Sequence, residues 1–142
     1  MTVLRTSELT VGQAFETVVV EDLKRTQIVQ YAGASGDYNP LHTDEVYTTK
    51  IAGYQSVFAH GMLTMGLTGQ AVTALVGTEN LLRFGVRFTA QVWPGDTLTV
   101  RATVAAITDE DDGRVAEFSL STVNAEGKEV MSGYAYARLA DS

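Results

Sequence analysis

The 142-residue chain has no cysteine, two histidines (His42 and His60), two prolines (Pro40 and Pro94) and one tryptophan. Without thiols there are no disulfides, no thiolate nucleophiles and no Cys-ligated metals. With so few imidazoles a His-rich metal site is excluded as well, and neither a metal nor another cofactor is expected. Positive charge is scarce: 10 Lys and Arg stand against 17 Asp and Glu, a net charge of −7. Nucleic-acid-binding domains are usually basic, so long-range attraction for phosphate or an anionic membrane is not expected. An anionic ligand would need a local basic patch. The start, Met1-Thr2-Val3-Leu4-Arg5, does not read as a basic-then-apolar leader, and a cytoplasmic address is the expectation. No Asp, Glu, Lys or Arg occurs from Ile51 to Thr78. A membrane helix needs about 20 mainly apolar residues, but this stretch contains Gln55, Ser56, His60, Gln70 and several Thr and Gly. It reads as a helix buried in protein.

What is present fits one folded domain over residues 1–142, with 45% hydrophobic and 19% charged residues. Ala14 to Val20 reads as a strand, carrying β-branched Thr17, Val18, Val19 and Val20. Asp22 is placed to cap a helix from about Lys24, with Ile28, Tyr31 and Ala32 on one face. The Gly33–Gly36 stretch should end that helix. Asn39-Pro40 then forces a turn. Thr43 to Lys50 suggests a short helical piece begun by Asp44. The main helix is expected from Gly61 to about Val76, apolar on nearly all sides and therefore buried. Close packing against a sheet is the plain reason for Gly66 and Gly69 within it.

The period then changes. Phe84, Val86, Phe88, Ala90 and Val92 alternate with polar residues, as do Leu98 to Val104 and Ala116 to Thr122; Val130 to Leu139 forms a last strand. Pro94-Gly95-Asp96, Asp109 to Gly113 and Asn124 to Gly127 read as the turns between them. The expected architecture is α+β: strand, short helix, loop, long helix, then an antiparallel meander of four strands curled around the helix.

Two places carry chemistry. Asp37, Asn39 and His42 put a carboxyl, an amide and an imidazole within six residues of a Gly- and Pro-shaped turn. A carboxyl and an imidazole side by side can hold one water, and imidazole takes a proton near neutral pH. The plainer reading of Asp-x-Asn-Pro is a turn in which Asp accepts backbone N–H bonds. At the second place, Gly61 opens the long helix, where unpaired N–H groups and the positive end of the dipole suit a developing oxyanion. The plainer reading is a capping glycine. His60 has two readings, a hydrogen bond to backbone that shapes the loop, or direct contact with a reacting molecule.

The run Tyr31…Ser35-Gly36-Asp37-Tyr38-Asn39-Pro40-Leu41-His42 resembles the signature of the MaoC-like, or (R)-specific, enoyl-CoA hydratases. Ala59-His60-Gly61-Met62-Leu63 resembles that family's second block, and Val86-Arg87-Phe88-Thr89-Ala90…Val92-Trp93-Pro94-Gly95-Asp96-Thr97-Leu98 its third. Within the family the chain resembles the small single-domain dehydratases, such as the catalytic β-type subunit of mycobacterial (3R)-hydroxyacyl-ACP dehydratases. The resemblance implies a single hot dog fold, a sheet wrapped around one long helix. It implies reversible hydration of trans-2-enoyl thioesters of CoA or acyl-carrier protein to (3R)-hydroxyacyl thioesters. Asp37 and His42 would be the catalytic pair, supported by Asn39, and the backbone N–H of Gly61 would bind the thioester oxygen. Tyr38, Phe58, His60 and Met62 would contact substrate, with Tyr54 and Met65 as further candidates for lining an acyl tunnel. Some members carry a serine about two turns after the motif glycine; here that position is Gly69. A homodimer is implied, with a heterodimer of two hot dog subunits as the other arrangement. Two functions from other classes stay open: a non-catalytic or partner-dependent hot dog subunit that binds acyl chains, and an acyl thioesterase. For carrier phosphates the available cations are Lys50, Arg83, Arg87 and Arg101, of which the three arginines fall on the outward face of their strands.

Overall fold

A computed structural model describes residues 3–5, 7 and 9–139. The elements run β1 (Ala14–Val20), α1 (Arg25–Ser35), a π-helical turn (Tyr47–Ile51), α2 (Gly61–Val76), a 3-10 turn (Thr78–Asn80), β2 (Leu81–Phe88), β3 (Leu98–Glu110), β4 (Gly113–Val123) and β5 (Glu129–Leu139). The strands form one antiparallel sheet in the order β1-β3-β4-β5-β2.

The first strand and the long helix have the bounds expected from sequence. Asp22 is a correction. Its φ is +47°, its N–H donates to Thr97 Oγ1 at 3.0 Å, and its carboxylate pairs with the Lys24 ammonium. The N-cap of α1 is Lys24, which makes no side-chain cap. Burial holds α1 instead: Ile28 and Ala32 are buried, and Ile28 packs with Leu23, Leu63, Leu67 and Met131. Fully burying a side chain such as Ile28 contributes about 1.5–3 kcal/mol. Gly36 ends α1 in the left-handed region at φ 76°, its N–H returning to the Ala32 carbonyl. Asp44 begins the next piece as expected, accepting the Tyr47 N–H at 3.0 Å.

The last four strands are not a simple meander. β3, β4 and β5 follow one another, but β2 pairs with β5 at the far edge, and β1 takes the place beside β3. The cause lies in the Trp93–Asp96 turn. Asp96 accepts the Trp93 N–H at 2.9 Å, while Leu23 exchanges backbone bonds with Asp96 and Gly95 at 2.9 and 2.8 Å. The turn is thereby tied to the end of β1, and the chain crosses from one sheet edge to the other. Ala90 and Val92 lie beyond β2 for the same reason, although Val92 is still buried.

Along one side of α2, Leu63, Leu67, Val72 and Val76 sink into the concave face of the sheet. The helix is not covered all round, as its apolar circumference suggested. Met62, Gly66, Gln70 and Ala74 line an exposed face, because five strands curl around one side only. Gly69 does pack closely, since a Cβ there would stand 3.3 Å from the Phe84 ring, but nothing lies within 4 Å of a Cβ at Gly66.

One polar pair sits in this core. Thr68 of α2 and Thr122 of β4 are fully buried, their hydroxyl oxygens 2.8 Å apart. Thr68→Val strands the Thr122 hydroxyl and costs about 1–3 kcal/mol, whereas removing both hydroxyls together is nearly neutral. Urea unfolding of Thr68→Val and of Thr68→Val/Thr122→Val checks this. A double variant less stable than the single one contradicts it.

Candidate active site

The loop after α1 is built by side chains that each accept the N–H two residues on. Ser35 Oγ takes the Asp37 N–H at 3.1 Å, Asp37 Oδ1 the Asn39 N–H at 3.2 Å, and Asn39 Oδ1 the Leu41 N–H at 3.0 Å. This is the turn chemistry expected of Ser, Asp and Asn. It employs only one carboxyl oxygen of Asp37 and leaves Oδ2 free to face His42. The Asn39 side-chain oxygen is taken up by the loop itself.

The loop is held from both sides. Buried Thr48 donates its hydroxyl toward the Pro40 and Asp44 carbonyls at 3.1 and 2.7 Å. Phe58 donates its N–H to Leu41 at 3.2 Å, and Ala59 to Val92 at 2.8 Å. Glu45 adds a clamp, bonding the Arg25 guanidinium at 2.6 Å and the Val57 N–H at 3.3 Å, while Arg25 also reaches Ser56 Oγ at 3.1 Å. The Arg25 bond, aided by the Val57 N–H, lowers the Glu45 carboxyl below its ordinary value, so the clamp is charged at neutral pH.

Asp37 and His42 come together. His42 Nε2 lies 3.9 Å from Asp37 Oδ2, with the His42 side chain 11% exposed and that of Asp37 53%. His42 Nδ1 is 2.6 Å from the Phe58 carbonyl. A carbonyl only accepts, so Nδ1 carries the proton and Nε2 presents a lone pair toward the carboxyl. Burial lowers the His42 pKa below its usual value, opposed by the Phe58 carbonyl, assisted by the neighbouring His60 ring and opposed again by Asp37. The imidazole is therefore neutral at pH 7 and available as a base.

His60 lies beneath it. The two imidazoles stack with centroids 3.7 Å apart and an interplanar angle of 23°. His60 is 2% exposed, and its Nε2 is 3.0 Å from the Asp37 backbone carbonyl. This is the backbone-bonding role, which leaves the ring little surface for a reacting molecule. Ligand atoms of Asp37, His42 and His60 all lie within 4.8 Å of one another, a spacing a metal could use. However, one nitrogen of each ring is already taken by a carbonyl.

Next in the chain, Gly61 begins α2. The Leu63 and Thr64 N–H groups bond to the His60 carbonyl, and the Gly61 N–H has no acceptor among the described residues. Gly61 opens onto a cleft of about 350 Å³ whose wall also includes Phe58, Thr64, Phe88, Gln91 and Val130. The Phe88 ring lies flat against Gly61, and a Cβ at 61 would stand 3.1 Å from it. Phe88 thus keeps the helix-facing side that strand alternation gave it, as Phe84 does against Gly69, although it is 50% exposed. Asp37 and His42 are not in the wall of the cleft. They adjoin it through Phe58, whose ring meets His42 edge-on at 5.4 Å, and through His60.

Of the residues expected to contact substrate, Phe58 lines this cleft, whereas Tyr38 and Met62 are exposed and are not part of its wall. Thr64 and Gln91 were not foreseen. Thr64 lies three residues after Gly61, hence on the same helix face, and that spacing was a usable signal. Gln91 reaches the site only through the tertiary fold. Of the outward arginines, Arg101 pairs with Glu16 at 2.9 Å and Arg83 lies over the Tyr136 ring. A serine at position 69 would press on Phe84, because a Cβ there already stands 3.3 Å from that ring.

Among the described residues no helix is long and apolar enough to cross a membrane. Comparison with known proteins agrees with the fold and motifs. The chain is 41% identical over 68 residues to the 3-hydroxyacyl-thioester dehydratase Y of Mycobacterium tuberculosis, a match covering 46% of this chain and 23% of that protein. It thus spans under a quarter of that relative's length. Among solved structures it is similar to the R-hydratase PhaJ1 of Pseudomonas aeruginosa, with a TM-score of 0.81, 28% identity and coverage of 96% of this chain and 85% of that one. It also shares its fold with a chain of the ChsH1-ChsH2 complex of M. tuberculosis, at a TM-score of 0.76 and 21% identity over 92% of this chain and 98% of that one. Residues 6–125 match the family described as MaoC like domain, and the chain belongs to that family, with the hot dog arrangement of a sheet wrapped around a helix.

Proposed function

We propose that the chain catalyses reversible hydration of trans-2-enoyl thioesters to (3R)-hydroxyacyl thioesters. The observation that carries this reading is the placement of His42 Nε2, stripped of its proton by the Nδ1–carbonyl bond, 3.9 Å from Asp37 Oδ2. One water at about 2.8 Å from each atom bridges that gap. His42 takes a proton from this water as its oxygen adds to C3 of the enoyl group. Negative charge moves onto the thioester oxygen, where the free Gly61 N–H and the positive end of α2 stabilise it. The proton taken up by His42 passes to Asp37 Oδ2, and Asp37 delivers it to C2. Water has then contributed OH to C3 and H to C2, and the pair returns to its starting state. The same steps reversed dehydrate the hydroxyacyl thioester. The names of the similar dehydratase and R-hydratase support the substrate class and stereochemistry.

Purified protein with crotonyl-CoA and with a longer trans-2-enoyl-CoA tests the reading. Loss of enoyl absorbance with an (R) product is expected; free thiol release would mark a thioesterase, and silence on both would favour a binding subunit. The pH profile of kcat/KM is a second check. His42 must be neutral to act, and its pKa is lowered chiefly by burial. Activity should be full at pH 7 and fall only as pH drops through a midpoint below 6.5. A midpoint above that value contradicts His42 as the base.

The working unit in this reading is a homodimer in the cytoplasm. Two open surfaces adjoin: the free edge of β2, with exposed Leu82 and Phe88, and the uncovered α2 face around Met62 and Gly66. Sedimentation of the pure chain should give twice the chain mass. A monomer would point instead to a second, different subunit.

A further inference from the structure

Beneath the proposed catalytic pair lies a buried side chain that the reaction does not itself consume. His60 is 2% exposed. Its Nε2 is 3.0 Å from the Asp37 carbonyl, and a carbonyl accepts only, so Nε2 bears the proton. Nδ1 is then a bare lone pair, and it has no hydrogen-bond partner. A buried polar atom without a partner is costly, so its retention asks for a reason. An apolar ring would fill the same space without that cost but could not hold the Asp37 peptide. A linear amide could hold the peptide but would offer no plate for His42, which rests on the His60 ring at 3.7 Å. Only an aromatic ring with one correctly placed N–H does both. Tyr31 of α1 meets the His60 ring edge-on at 4.8 Å and packs the plate in turn.

We propose that His60 is the positioning residue of this site: its ring is the platform under His42 and its Nε2–H pins the Asp37 peptide, so that one side chain sets the separation of the two groups across the water. This rests on the assignment of Asp37 and His42 as the catalytic pair. The titratable side chains facing the two rings are Asp37 from the loop and Tyr31 from α1, with Tyr54 one ring further out against Phe58. The platform also shields His42 from water, and His60 adds to the lowering of its pKa.

The test separates the two jobs. His60→Phe keeps a plate and loses the pin; His60→Gln keeps an amide donor and loses the plate. Either variant leaves His42 as the sole histidine, so its titration is read by NMR without assignment ambiguity. His60→Gln should raise the His42 pKa and move the acid limb of kcat/KM upward with it. His60→Phe keeps the shield and loses only the His60 charge, so it should move that limb less than His60→Gln does, and it should lower kcat at least ~10-fold, with KM changed far less, as loss of positioning does. The proposal fails if both variants fold and keep wild-type kcat and wild-type His42 titration. A measurement on the unaltered protein decides if neither folds: nitrogen-15 shifts at neutral pH should show the Nε2–H tautomer for His60 and the Nδ1–H tautomer for His42, and an Nδ1–H tautomer at His60 overturns the pin. These shifts do not depend on turnover. An inactive wild-type protein with the expected tautomers would therefore sink the reaction assignment while leaving the geometry of His60 standing.

Discussion

His42→Ala and Asp37→Asn should each lower the hydration rate at least ~100-fold, the low end for losing a general acid or base. The two changes remove different things. His42→Ala takes away the lone pair that faces the water, along with the stack on His60 and the bond to the Phe58 carbonyl. Asp37→Asn is more conservative, because an amide oxygen still accepts the Asn39 N–H that Oδ1 now takes, and the side chain is half in solvent. The loop should keep its shape, so a fall in rate reports proton transfer. KM should change much less than kcat in Asp37→Asn, since the cleft wall at Phe58, Gly61 and Phe88 is untouched. Asn39→Ala serves as the contrast. Its side chain accepts the Leu41 N–H, so that variant should lose thermal stability and activity together. If His42→Ala and Asp37→Asn both keep near-full turnover while folded, the pair is not the catalytic machinery.

Local chemistry made much of this structure readable in advance. The β-branched run of β1 and the glycine-bounded span of α2 are written in neighbouring residues, and both elements have the expected ends. The same holds for the Ser35, Asp37 and Asn39 turns, each closed by a side chain two residues away. What could not be read was long-range. Periodicity shows that β2 is a strand but not that it pairs with β5, which depends on Leu23 seizing the Trp93–Asp96 turn. β3 outruns its expected end because a register shift between Val104 and Ala106 breaks the alternation while pairing with β4 continues. Asp22 does not cap α1, because its N–H is held by the Thr97 hydroxyl, 75 residues away. Within the site, the motifs brought Asp37, His42 and Gly61 to notice. The stacking of His42 on His60 and the contact of Phe88 with Gly61 appear only when three separate segments meet.

The largest effect on stability is expected far from the chemistry, at Gly133→Ala. A Cβ at this position in β5 would lie 2.3 Å from the Gly85 carbonyl oxygen and 3.1 Å from Val86 Cα. Both obstacles are backbone of β2, so no change of rotamer relieves them. β2 is an edge strand with β5 as its sheet neighbour, so the strain is released by prising β2 away. A cost of about 3 kcal/mol, the upper end for overpacking, should appear as a lower urea midpoint. Gly85→Ala provides the control. There a Cβ would also clash, at 2.5 Å with the Tyr134 hydroxyl and at 2.6 and 2.8 Å with two carbons of its ring, but these belong to an exposed side chain that can swing into solvent. Its cost should stay below about 1 kcal/mol, as for other surface changes with room to relax. If Gly85→Ala proves the more damaging, or Gly133→Ala is neutral, the close approach of β2 and β5 is wrong. The link to activity runs through the end of the same strand. β2 terminates in Phe88, whose ring covers Gly61 at the cleft. Gly133→Ala should therefore raise KM and lower kcat even well below its unfolding midpoint, although it touches neither Asp37 nor His42.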